Sequence, residues 1–356
     1  MSSLDNLKNI IKLDKQGMAG SIESLGLQCQ QAWEEANKIK IPNSYKSCKN
    51  IVISGMGGSA LGGHVIESLY SNDLKVPFRV TNSYFVPGSV DKNTLYILSS
   101  YSGTTEEILA TLPIAKKRKA KLLIICAGGK LSKAAKKYKI PAYIFDPKFN
   151  PSNQPRMGLG YSIVGQIALL KNCGMLKVTD NDFKKVINLI VKLHNKFGLK
   201  VPSKKNKAKQ MAIKLYGRLP INIAAEHLAG NVHIMTNQIN ENSKTFSAYF
   251  LISELNHHLM EGLIFPKTNK SNLVFTFLES KLYPAKITIR VAITKKVLDK
   301  SKIPYIGYMV SSKDKLSQSF EALLFGSYVN FYMSMLNNID PSPIPVVDFF
   351  KQQLAK

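Results

Sequence analysis

Acidic residues are scarce in this chain of 356 residues: 23 stand against 49 lysines and arginines, a formal net charge of +26. Arginine is itself rare, so nearly all of the positive charge is lysine. Basic chains often bind nucleic acid. Here the lysines are spread over the whole chain, and the densest runs, Lys116-Lys117-Arg118-Lys119 and Lys204-Lys205, read as helix-end and linker positions. No aromatic-flanked basic motif stands beside them. The charge therefore reads as solvated surface, with no nucleic-acid partner expected, and it would draw phosphorylated metabolites toward the chain at low salt. Long apolar runs are missing too, which excludes a bilayer-spanning helix and a membrane partner. Met1 to Ile11 is polar and mixed in charge, without a signal-peptide pattern, so a cytoplasmic location is expected. The four cysteines, Cys29, Cys48, Cys126 and Cys173, form no Cys-x-x-Cys pair, which argues against a zinc site and against a disulfide framework.

What is present is a core and a rhythm. Hydrophobic residues make up 45% of the chain, enough for two ordinary domains. Apolar runs such as Ile51-Val52-Ile53, Thr94-Leu95-Tyr96-Ile97-Leu98 and Lys121-Leu122-Leu123-Ile124-Ile125-Cys126 read as buried strands that alternate with helical segments. The expected fold is α/β, with two doubly wound domains over residues 1–170 and 171–356, each a mostly parallel sheet flanked by helices. Residues Leu4 to Lys40 read as helical. In the second half, Leu273 to Leu278, Ile287 to Ala292 and Ile306 to Val310 read as strands, and Leu316 to Leu336 as a long apolar helix.

Two turns carry polar groups that could hold an anion. The run Gly55-Met56-Gly57-Gly58-Ser59-Ala60-Leu61-Gly62-Gly63 lies between a strand and a helix. Glycine lets the backbone bend and approach a ligand, and the unpaired amides at a helix start attract anions. A tight turn with no ligand explains this run about as well. No Gly-Lys-Ser/Thr follows it, so it is not a nucleotide P-loop, and the next strand ends without an acidic residue, which disfavours a dinucleotide cofactor. The second turn, Ser99-Ser100-Tyr101-Ser102-Gly103-Thr104-Thr105-Glu106-Glu107, crowds the hydroxyls of Ser100, Ser102, Thr104 and Thr105 at a strand end. One such hydroxyl is an ordinary helix cap; four beside the glycine loop make an anion pocket between two strand ends.

Candidates for chemistry lie further on. Arg156 follows the Pro/Asn-rich loop Asn150 to Pro155, in a chain that uses lysine nearly everywhere else, so a fixed fork of donors is wanted there. Glu241 is flanked by Asn240 and Asn242, which could orient a general base. His257 could move a proton near neutral pH. A surface carboxylate paired with Lys244, and solvated loop histidines, explain the same residues without catalysis.

Taken together, Gly55 to Ala60, Ser100 to Glu106, Gln154-Pro155-Arg156, Ile239-Asn240-Glu241-Asn242 and Glu254-Leu255-Asn256-His257 resemble, in order, the motifs of the bifunctional phosphoglucose/phosphomannose isomerase family, whose members carry two sugar-isomerase (SIS) domains. The resemblance covers most of the chain. It implies interconversion of glucose 6-phosphate, and of mannose 6-phosphate, with fructose 6-phosphate through a cis-enediol, without a metal or other cofactor. It implies that Gly58, Ser59, Ser100, Ser102 and Thr105 bind the phosphate. Glu241 would be the base, Arg156 would stabilise the enediolate, and Lys351 and His257 would open the ring, with His257 supplied by the neighbouring subunit of a homodimer. Ser342 stands where the family often has threonine and would leave room for rotation about C2–C3. The chain departs from the family at His64, at Ala224-Ala225-Glu226-His227 and at Asn231 to Asn237. Competing expectations are an isomerase of another phosphosugar, a SIS-type regulator that binds a phosphosugar without turnover, and a lysine-rich nucleic-acid binder.

Overall fold

The computed structural model describes residues 3–354; the outermost residues of the two expected domain ranges, 1, 2, 355 and 356, lie outside it. Helices α1 (Leu7–Leu13), α2 (Met18–Glu23) and α3 (Leu25–Ala36) lead into β1 (Asn50–Gly55). Then follow α4 (Gly58–Leu69), β2 (Phe78–Thr81), β3 (Thr94–Ser99), α5 (Glu106–Lys117), β4 (Lys121–Cys126), α6 (Gly129–Tyr138) and β5 (Ala142–Ile144). Helices α7 (Leu159–Asn172), α8 (Asp180–Phe197) and α9 (Lys207–Leu215) lead to the second half. That half contains β6 (Leu219–Ala224), α10 (Ala229–Ser243), β7 (Ala248–Leu251), the single turn α11 (Asn269–Asn272), β8 (Leu273–Ser280), α12 (Ala285–Lys300), β9 (Tyr305–Val310), α13 (Lys315–Leu336) and α14 (Pro345–Leu354).

Both sheets are parallel throughout. Among the described residues the first runs β2-β1-β3-β4-β5 and the second β7-β6-β8-β9. The doubly wound expectation therefore holds for each. Side-chain alternation along the strands builds two apolar layers. In β1, Ile51 and Ile53 face the layer of α4 and α7, while Val52 faces that of α5 and α6. In β3, Leu95 and Ile97 go to the first layer, and Tyr96 and Leu98 to the second. Strands buried on both faces read as continuous apolar runs, which is why they were legible.

One expectation needs correction, and two elements went unread. The segment Ile287 to Ala292 is not a strand but part of helix α12. Its β-branched alternation hides a helical stripe: Ile287, Val291, Thr294 and Leu298 face inward, whereas Ile289 and Ile293 are exposed. A helix there supplies the crossover that joins parallel strands β8 and β9. The stretch Leu4 to Lys40, which reads as helical, contains three helices, α1 to α3. The Asp14 carboxylate accepts hydrogen bonds from the amides of Met18 and Ala19, and Gly17 turns the chain at φ +70°. Strand β7 and helix α14 lay unrecognised in the sequence.

In an open α/β sheet the ligand crevice opens where the strand order reverses, at the carboxyl ends of the strands. The first sheet has that point between β1 and β3, the strands followed by the glycine loop and the serine-rich turn. In the second sheet it lies between β6 and β8. There the Ala225 amide donates to the hydroxyl of buried Tyr283 at 3.2 Å, and that hydroxyl donates to the Leu278 carbonyl at 3.0 Å. A phenol thus takes up the Ala225 amide at the β6 end of the second crevice.

The two halves meet where α4 packs on α10. A Cβ on Gly230 would lie 2.5 Å from the His64 carbonyl oxygen and from the Val65 Cα, so the two backbones are in direct contact. The Gly230 amide donates to Ser68 Oγ at 3.1 Å. Alanine is the better helix former by about 1 kcal/mol, but backbone atoms cannot rotate out of its way. Gly230→Ala is therefore expected to destabilise the chain by about 1–3 kcal/mol, read as a lower Tm in thermal unfolding; an unchanged or raised Tm would show that the helices part at little cost.

Candidate active site

The open crevice is a cavity of about 750 Å³. The glycine loop and the serine-rich turn form one side, Arg156 and the end of α10 the other, and α14 covers it. Gly57 caps α4 with φ +48° and ψ −130°, a conformation that glycine adopts readily. Gly58 begins the helix. A Cβ there would meet the Pro155 carbonyl at 2.9 Å, so its small size also brings the loop carrying Arg156 against α4.

Ser59 lies in the first turn of α4, and its Oγ accepts the Tyr101 amide at 2.8 Å, which leaves its own proton for an anion. Ser102 Oγ accepts from the Thr104 amide at 3.2 Å and from the Thr104 hydroxyl at 3.0 Å. Thr105 is the N-cap residue of α5 and lines the cavity. Ser100 does not line it. Its Oγ pairs with the Thr105 hydroxyl at 2.7 Å and accepts the Gly103 amide at 3.1 Å, so it shapes the turn from behind. Gly103 stands at φ +67°, where a Cβ would strike the Gly128 carbonyl. The amides of Ser59 and Ala60 donate to the Met56 and Gly57 carbonyls, so it is the N-terminal end of α4 together with the hydroxyls of Ser59 and Ser102 that makes a site suited to a phosphate.

Across the cavity Arg156 is 1% exposed, and its guanidinium is fully engaged. Nε donates to Asn242 Oδ1, Nη1 to Gln154 Oε1 at 2.8 Å and to Glu241 Oε2 at 3.3 Å, and Nη2 to the carbonyls of Ser342 at 2.7 Å and Pro341 at 3.2 Å. Glu241 comes from the last turn of α10, its side chain about one-third exposed to the cavity. Burial raises its carboxyl above the usual range; the cations of Arg156, Lys351 and Lys244 oppose that shift. Burial lowers Lys244 to about 8, helped by Arg156. Its ammonium donates to the carbonyls of Asn242 and Pro341. Lys351, on α14, lines the cavity beside Val347 and Phe350.

Two expected residues stand apart. Ser342 is fully buried behind Arg156, and its hydroxyl finds no hydrogen-bond partner among the described residues. His257 ends a short 3₁₀ turn, is exposed, and does not line the cavity of its own chain. Some cavity residues had no sequence signal: Tyr84 on the loop after β2, and the apolar face of α14. Gln154, read in the sequence only as part of the motif Gln154-Pro155-Arg156, holds Arg156 Nη1. Of the departures, His64 and His233 meet with ring centroids 4.8 Å apart, at a separate cavity between α4 and α10. Among the described residues no group of three or more His, Cys, Asp and Glu side chains is arranged to hold a metal ion, and no helix is long and apolar enough to cross a membrane.

Comparison with known proteins agrees with this geometry. A family model for the bacterial phospho-glucose isomerase C-terminal SIS domain matches residues 204–354, and one for the SIS domain matches residues 44–144. The chain is 32% identical over 345 residues to a bifunctional phosphoglucose/phosphomannose isomerase of Caldicellulosiruptor bescii, covering 95% of this chain and 99% of that protein. A protein of the same name from Aquifex aeolicus is 29% identical, with 93% of this chain and 97% of that protein covered. The crystal structure of a hypothetical protein from Thermus thermophilus superposes with a TM-score of 0.74 at 15% identity, covering 99% of this chain and 93% of that one, which shows the shared fold. With both SIS models in place and near-complete coverage by such a relative, the chain belongs to the bifunctional phosphoglucose/phosphomannose isomerase family.

Proposed function

We propose that the chain interconverts glucose 6-phosphate, and mannose 6-phosphate, with fructose 6-phosphate in the 750 Å³ cavity. The observation that carries the reading is the Glu241–Arg156 pair at 3.3 Å, which faces a hydroxyl-and-amide cradle across a single cavity. In this reading Gly58, Ser59, Ser102 and Thr105 hold the phosphate, Ser100 supports their turn, and that anchorage orients the sugar carbons. Lys351, with His257 from a neighbouring subunit, opens the ring. Glu241 takes the proton from C2 of the open aldose and returns it to C1, while a hydroxyl proton passes from O2 to O1. Negative charge builds on the enediolate oxygens between these transfers, and Arg156 offsets it through Nη1. Ser342, buried behind Arg156, does not border the sugar as expected; its carbonyl holds Nη2 instead.

Two further parts belong to the same proposal. The chain divides near residue 170 into an N-terminal domain with its leading helices and a C-terminal domain ending in the active-site helix. It works as a cytoplasmic homodimer, a state supported by the exposed apolar side chains Val346 and Phe349 on α14 and by the four buried, unpaired cysteines.

Glu241→Gln is expected to lower kcat for fructose 6-phosphate at least about 100-fold while leaving sugar-phosphate binding intact. The checks are a coupled assay and calorimetric titration; normal turnover by this variant would remove Glu241 as the base. The acid limb of kcat/KM should reflect a carboxyl titrating above the ordinary glutamate range. The Lys244 cation favours the ionised form of Glu241, so its removal raises the Glu241 pKa. Lys244→Met should accordingly move the acid limb to higher pH, and a shift to lower pH would contradict the electrostatics described above.

A further inference from the structure

Behind Arg156 lies a hydrogen-bonded ring that begins and ends on the same residue. Arg156 Nε donates to Asn242 Oδ1 at 2.5 Å, and Asn242 Nδ2 to Asn330 Oδ1 at 2.6 Å. Asn330 Nδ2 donates to Gln238 Oε1 at 2.9 Å, and Gln238 Nε2 to the Arg156 carbonyl at 2.9 Å. All four residues are buried. Gln238 and Asn242 lie one turn apart on α10, and Asn330 stands in the middle of α13, remote from the cavity lining.

The polarity of this ring is forced. A guanidinium only donates, so Asn242 must turn its oxygen to Nε and its NH₂ to Asn330. Asn330 must then offer its oxygen to Asn242 and its NH₂ to Gln238, and Gln238 its NH₂ to the Arg156 carbonyl. Ser327 Oγ adds a second donor to Gln238 Oε1, and the Gly326 carbonyl a second acceptor for Asn330 Nδ2. Each amide works as donor and acceptor at once, which neither a carboxylate nor an ammonium can do. The three amides are also neutral, so they do not compete with Glu241 for the Arg156 charge. With Nε held by the ring and Nη2 by two carbonyls, Nη1, which bonds Gln154 and Glu241, is the edge on the side of the cavity-lining carboxylate.

We propose that Asn330 is a positioning residue for the isomerisation: through Asn242 and Gln238 it fixes the rotation of the Arg156 guanidinium, so that Nη1 meets the developing enediolate. This rests on the role given to Arg156 above. A misplacement of about 1 Å at such a group costs up to about 100-fold in rate.

The test is a double-mutant cycle with fructose 6-phosphate, reading kcat and KM separately, with folding followed by thermal melting. Asn330→Ala should lower kcat about 10- to 100-fold and leave KM within about twofold, since the phosphate cradle is built from other elements. In an Arg156→Lys background, where no Nε–H remains to be held, the same substitution should change kcat less than about twofold. An unchanged kcat for Asn330→Ala overturns the inference, as does an equal loss in both backgrounds, which marks a general structural role. If Asn330→Ala does not fold, Gln238→Met breaks the ring at similar volume and carries the same cycle. Full activity of Arg156→Lys alone instead overturns the role of Arg156, so the two failures are distinguishable.

Discussion

A buried cation with no water around it has to be paired or hydrogen-bonded on every side, because removing its solvation costs several kcal/mol. Arg156 meets that demand with partners from three places: Gln154 on its own loop, Glu241 and Asn242 at the end of α10, and the carbonyls of Pro341 and Ser342 before α14. Since Arg156 enters from the first half and most of its partners belong to the second, satisfying one charge aligns the halves. The Gly230 contact then sets how closely α4 and α10 approach. The phosphate cradle at the start of α4 and the carboxylate at the end of α10 are therefore fixed relative to each other by packing already present without a ligand.

This division of labour explains the polar interior of α13. Nearly the whole helix is buried, yet it carries Gln318, Ser319, Glu321, Ser327 and Asn330 inward. Each has a defined partner: Gln318 meets His227 and Ser280, Ser319 meets Asn231, and Glu321 accepts from Tyr308, Ser311 and Ser312. Those hydrogen bonds hold the Glu321 carboxyl below its usual range despite burial. Satisfied buried networks of this kind specify one arrangement of helices, where an all-apolar interface would tolerate several.

Much of the fold and part of the site were legible in the sequence. The strands of the first sheet are buried on both faces and read as apolar runs; the glycine loop and the serine turn follow two of them directly. Arg156 drew notice because this chain rarely uses arginine. The unread parts depend on contacts distant in sequence. The role of Asn330 arises only when α13 crosses α10, and nothing beside Asn330 in the chain announces it. Helix α12 was hidden because β-branched residues at alternating positions mimic a strand, while the parallel topology requires a helix. Strand β7 is four residues long and only half buried, too short for a clear alternation. Ser100 was read correctly as part of the turn, but its hydroxyl faces the turn's interior rather than the cavity.

The two crevices differ in the partners their backbone amides find. Two sheets of like strand order would offer two equivalent mouths, but the Tyr283 phenol already satisfies the Ala225 amide that an anion would need. The β6 corner carries Glu226 at φ +49°, a backbone that glycine would adopt with less strain.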